Sequence, residues 1–145
     1  MNIFQLLEKE GILPPGIHVV SLEEIEKHFC FNEYRWKLFK KAVKAIKNLI
    51  AAGVEDIYLD GSFAESKPRP NDIDGCWVPN PHVDSSRIDP VLLDFRNQRA
   101  AMKKKYGVDF FPANELEKTK GKPFLEFFQK DRDGKPKGIL KVKLE

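Results

Sequence analysis

The segment from Glu33 to Ala52 most tightly constrains what this chain can become. Its apolar residues Leu38, Phe39, Ala42, Val43, Ile46, Leu49 and Ile50 recur at helical spacing, so one side of a long helix must be covered by the rest of the chain. Asn32 supplies an N-cap and Gly53 a stop. Lys37, Lys40, Lys41, Lys44 and Lys47 fall on the opposite side. They read as a solvated face, with a stripe for nucleic acid as the alternative.

What can cover that helix is set by the segments around it. Met1 to Glu10 reads as a short amphipathic helix, ended by Gly11 and Pro14-Pro15-Gly16. Val19-Val20 leads into Ser21, which with Glu24 forms a capping box for a helix from Leu22 to Phe29. Short β segments follow the long helix: Asp56 to Asp60, Asp72 to Pro79 and Val108 to Phe111. Asp89-Pro90 opens a helix that carries Val91, Leu92, Phe95, Met102 and Tyr106 and stops at Gly107. A short helix is expected over Lys122 to Lys130. Gly138 to Leu144 alternates in the manner of a half-buried edge strand. Helices and strands interleave, so the expected architecture is α/β (α+β): a small mixed β-sheet flanked by helices.

The chain has 145 residues, the length of one domain with a single core. We divide it into a helical part (1–53), a motif-bearing core (54–112) and a C-terminal helix and strand (113–145). No apolar run approaches the ~20 residues that span a bilayer. Met1 to Glu10 lacks the basic start and apolar run of a secretory signal, so a cytoplasmic, non-membrane protein is expected. Cys30 and Cys76 read as reduced thiols, and His18, His28 and His82 show no zinc spacing. A net charge of +3 permits an anionic partner without arguing for one.

The chemistry concentrates between Leu59 and Asp74. A strand ends at Gly61-Ser62, a short polar segment follows, and the chain re-enters the sheet as Asp72-Ile73-Asp74. Glycine allows close approach to a bound group, and a serine at a helix start offers a hydroxyl and a free N–H to phosphate. Period two puts the carboxylates of Asp72 and Asp74 on one side of the strand. Two such charges are costly together unless solvated or neutralised, and Mg²⁺ or Mn²⁺ neutralises hard oxygen ligands of this kind. Asp109, alone among Val108, Phe110 and Phe111, is an acid that needs a reason. If its strand neighbours that of Asp72 and Asp74, three carboxylates meet, a set that can hold two metal ions for phosphoryl or nucleotidyl transfer. Lys67 and Arg69, in the linking segment, are either loop charges or contacts for a triphosphate. Trp77 reads as core rather than a stacking surface. Gly75 marks a close approach, expected from a helix.

Gly61-Ser62, a gap of nine residues, Asp72-Ile73-Asp74 and the later Asp109 together resemble the signature of the DNA polymerase β-like nucleotidyltransferase superfamily. The resemblance covers about Asp56 to Phe111, and the small size is most similar to minimal prokaryotic members, many from toxin–antitoxin or phage-defence pairs. It implies a nucleotidyltransferase-like fold. It also implies that Gly61 and Ser62 hold nucleotide phosphates while Asp72, Asp74 and Asp109 bind Mg²⁺ and carry catalysis. The expected activity is transfer of a nucleoside monophosphate from an NTP to a protein or RNA acceptor. The alternative is a non-catalytic regulatory or binding module, such as a toxin–antitoxin component. Gly75, Cys76 and Trp77 depart from the bulky aliphatics usual after Asp-x-Asp, and no second domain is evident to hold an acceptor.

Overall fold

The computed structural model describes residues 3–10, 13–60 and 68–144. Five helices, α1 (Ile3–Glu10), α2 (Leu22–Phe29), α3 (Glu33–Ala51), α4 (Ala100–Tyr106) and α5 (Phe124–Phe127), accompany five strands. The strands are β1 (Gly16–Val20), β2 (Ile57–Asp60), β3 (Ile73–Trp77), β4 (Val108–Pro112) and β5 (Gly138–Val142). They form one sheet in the order β1-β5-β2-β3-β4. The outer pairs, β1 with β5 and β3 with β4, are parallel, and β2 is antiparallel to both β5 and β3. The architecture is thus the expected mixed sheet flanked by helices. Among the described residues, no helix is long and apolar enough to cross a membrane.

Helix α3 is what the opening pattern required. Asn32 caps it by accepting from the Arg35 N–H, and Leu38, Phe39, Ala42, Ala45, Ile46 and Leu49 are buried. They pack on Ile57 and Leu59 of β2, Ile73 and Trp77 of β3, and Val108 and Phe110 of β4. The five lysines of the opposite side are exposed. Lys37 pairs with Glu33 and Lys40 with Glu26, which fits a solvated face. The Ser21–Glu24 capping box of α2 forms in both directions. Fully burying one of these aliphatic side chains stabilises the fold by about 1.5–3 kcal/mol, so this helix-covered side supplies most of the apolar driving force.

Four expectations need correction. Gly16–Val20 is a strand, β1, rather than a lead-in to α2. Ile17 and Val19 are exposed, so its sequence carries no buried alternation, and only pairing with β5 makes it a strand. That pairing moves β5 off the edge: it lies between β1 and β2, with Ile139, Leu140 and Val142 buried. The helix expected from Asp89 to Tyr106 is broken. Asp89 does cap a 3₁₀ turn at Pro90–Leu93, but the Asp94 side chain then accepts from the Arg96 N–H, a local bond that competes with helix. Asn97, Gln98 and Arg99 follow with φ of 52°, 57° and 61°, and regular helix resumes only at Ala100. Finally, the close approach at Gly75 comes from the strands beside it. A Cβ there would lie 2.4 Å from the Tyr58 carbonyl oxygen and 3.0 Å from the Phe110 ring. Trp77 is core, as expected, on the side covered by helices.

Candidate metal centre

Alternation along three adjacent strands sorts the sheet into two sides. Ile57, Leu59, Ile73, Val108 and Phe110 face the helices. The residues between them face the other way, and at the ends of these strands they are acids. Asp60 of β2 is directly opposite Asp74 of β3, which is in register with Asp109 of β4. Asp72 precedes β3 by one residue and shares the parity of Asp74. The parallel β3–β4 pairing, made possible by the crossover through α4, brings Asp109 to the Asp-x-Asp pair.

Asp72, Asp74 and Asp109 each offer a carboxylate oxygen, and these oxygens lie within 4.8 Å of one another. Among the described residues this is the one cluster of His, Cys, Asp or Glu with metal-holding geometry. The three acids named from the sequence therefore converge. Gly61, Ser62 and Lys67, expected to hold nucleotide phosphates, lie outside the described residues. Arg69 is exposed, with its guanidinium 5.3 Å from the Tyr34 ring centroid.

The electrostatics of the row are those of negative charge short of compensation. The Asp74 carboxyl is pushed up to about 8, first by burial, then by its hydrogen bond to Asp72 and by the charges of Asp72, Asp109 and Asp60. Asp109 is buried, and Arg99 grips it with two hydrogen bonds of 2.7 and 3.0 Å. Lys103, one turn along α4, reaches Asp109 at 3.6 Å and Asp72 at 4.0 Å. Asp60 is buried and pairs with Lys137 at 3.3 Å. The donor set is hard oxygen throughout, the chemistry Mg²⁺ and Mn²⁺ prefer, and the raised carboxyl of Asp74 is what a bound cation would relieve. The thiols take no part. Cys76, on the same side of β3, is driven up to about 12 by burial and Cys30 to about 11, and both are free.

Sequence reasoning missed Asp60, Arg99 and Lys103. The argument used for Asp109 applies equally to Asp60, an acid closing the apolar strand Ile57-Tyr58-Leu59. For Arg99 no spacing rule serves, because the three left-handed residues set its direction.

Beyond Asp74 and Asp109 the open side of β4 continues into a cavity of about 510 Å³. Phe95, Arg99, Phe111, Phe124 and Phe128 are among its walls. Asp74, Asp109, Glu115, Glu117 and Lys118 line it together with these rings.

The chain matches the model of a family of unknown function, DUF6932, over residues 5–143, and it belongs to that family. No curated protein and no solved structure matches it.

Proposed function

We propose that this protein is a divalent-metal-dependent nucleotidyltransferase that moves a nucleoside monophosphate from an NTP to a protein or RNA acceptor. The observation that carries this reading is the convergence of Asp72, Asp74 and Asp109 to within 4.8 Å. Convergence on one open side, beside a cavity large enough for a ligand, is what such chemistry requires of a fold. A bound Mg²⁺ would neutralise the phosphate oxygens, activate the attacking hydroxyl and stabilise the departing pyrophosphate. The chain's own groups do the rest. Asp72 and Asp74 hold the cation, and Asp109 serves as a third ligand or takes the acceptor's proton. Arg99 and Lys103 stand beside the row, where they can meet a phosphate oxygen once Asp109 has another partner. Gly61, Ser62 and Lys67 are the proposed contacts of the triphosphate, on the strength of the sequence resemblance.

The test is transfer of label from α-³²P-labelled NTPs, with Mg²⁺ or Mn²⁺, to the protein itself, a co-expressed partner and RNA. Label transferred by the wild type and lost in Asp74→Asn supports the reading. No transfer to any acceptor, with nucleotide bound, counts against it.

A second reading has its own observation. The two-point Arg99–Asp109 pair and the Lys103 contacts already offset part of the charge without metal. In that reading the row is a structural ion-pair network in a non-catalytic module, such as one half of a toxin–antitoxin pair. It expects no thermal stabilisation by Mn²⁺ and an unchanged cellular phenotype in Asp72→Ala.

A further inference from the structure

The lining of the cavity beside the acidic row has two unlike parts. Asp74, Asp109 and Arg99 belong to one and phenylalanine rings to the other, with Glu115, Glu117 and Lys118 also among its walls. Its volume of about 510 Å³ falls within the roughly 300–1,000 Å³ usual for small-molecule sites. Phe111 lies two residues beyond Asp109 on β4, so both point to the same side of the sheet.

The rings are arranged as a stack with one loose member. Phe124 lies flat on Phe111, with centroids 3.8 Å apart and planes 8° apart. Phe95 is also nearly parallel to Phe111, at 14°, but its centroid is 6.4 Å away. A flat ring needs carbon contacts of about 3.5–4.0 Å on each of its faces, so Phe95 must shift outward to admit one against Phe111. Phe95 is placed to make that shift. It is 43% exposed and belongs to the irregular stretch between the Pro90–Leu93 turn and α4. Arg99 joins the charged and aromatic parts, with its guanidinium bonded to Asp109 and 5.0 Å from the Phe111 centroid. An apolar side chain from a partner protein would fill the rings and leave the charged part unused. A ligand with a flat aromatic part and a metal-binding anionic part uses both.

We infer that this cavity is the nucleobase subsite, with Phe111 as its floor and Phe95 as its cover. The inference rests on the nucleotide reading above and adds where the base sits. The base stacks on Phe111 while the phosphates lie toward the acids and Arg99.

The test is calorimetric titration, in Mn²⁺, of the full chain with ATP, GTP, CTP and UTP in turn and with inorganic tripolyphosphate. Wild type is compared with Phe95→Ala and Phe111→Leu. The exposed Phe95 can be truncated without opening the core, so that variant keeps the test valid if Phe111→Leu folds poorly. Loss of stacking weakens the best-bound NTP about five- to a hundred-fold in Phe95→Ala and leaves tripolyphosphate unchanged. Undiminished NTP affinity in Phe95→Ala, with wild type binding both probes, overturns this inference alone. So does an equal loss of both probes, which would mean the ring acts on the fold. Failure of wild type to bind any NTP or tripolyphosphate overturns the nucleotide reading and this inference with it.

Discussion

The two sides of one sheet have been given opposite work by the alternation of single strands. In β3, Ile73 and Trp77 go into the apolar layer under α3, while Asp74 goes to the open side. In β4, Val108 and Phe110 go one way and Asp109 and Phe111 the other. The helix-covered side is apolar, continuous and drawn from nearly every element. The open side has a smaller cluster around Tyr58, Cys76, Phe128 and Ile139, and beside it four acids that repel one another. The contrast teaches that the charged row rides on strands held by the apolar side, while Arg99, Lys103 and Lys137 offset part of its charge. Stability and chemistry should therefore separate cleanly on mutation.

The largest effect belongs to the helix-covered side. Phe39→Ala should cost about 3–5 kcal/mol in chemical denaturation, since Phe39 is buried under the sheet, while Mn²⁺ affinity of the folded fraction stays unchanged. Gly75→Ala should cost about 1–3 kcal/mol, because its Cβ has no room beside the Tyr58 carbonyl and the Phe110 ring. Substitutions on the open side should do the reverse. Arg99→Gln frees Asp109 from a two-point charged pair, so calorimetry should show Mn²⁺ binding about ten-fold tighter, near 1.4 kcal/mol. A structural ion-pair network predicts a lowered Tm and no gain in metal affinity.

A further effect is a slope with pH. The Asp74 carboxyl is raised to about 8 from its ordinary 3.8, so between those values the folded chain holds a proton that the unfolded chain has lost. Its contribution to stability is complete below about 3.8 and disappears as pH rises through about 8. In metal-free protein the Tm of Asp74→Asn should therefore gain on that of wild type as pH is raised from 5 to 8. Mn²⁺ must displace that proton, so its affinity for wild type should rise over the same range.

Much of the open side was legible in the sequence because it depends on period two. Asp72 and Asp74 had to share a side, and Asp109 stood out as an acid among aromatics. What escaped depends on contacts between distant segments or on unusual backbone. β1 is short and exposed on Ile17 and Val19, so only its partner β5 defines it. Arg99 reaches Asp109 because Asn97, Gln98 and Arg99 turn left-handed where helical spacing predicted a continuous helix. The cavity follows from that same break, which leaves Phe95 near Phe111 instead of on a helix face.

The central claim is that the acids of the open side form a divalent-metal site, and Mn²⁺ binding followed by electron paramagnetic resonance tests it most directly. Wild type should bind Mn²⁺ in competition with Mg²⁺, and Asp72→Asn, Asp74→Asn and Asp109→Asn should each lose that binding while remaining folded. Mn²⁺ binding that survives all three substitutions, or its absence from the folded wild type, would contradict the account.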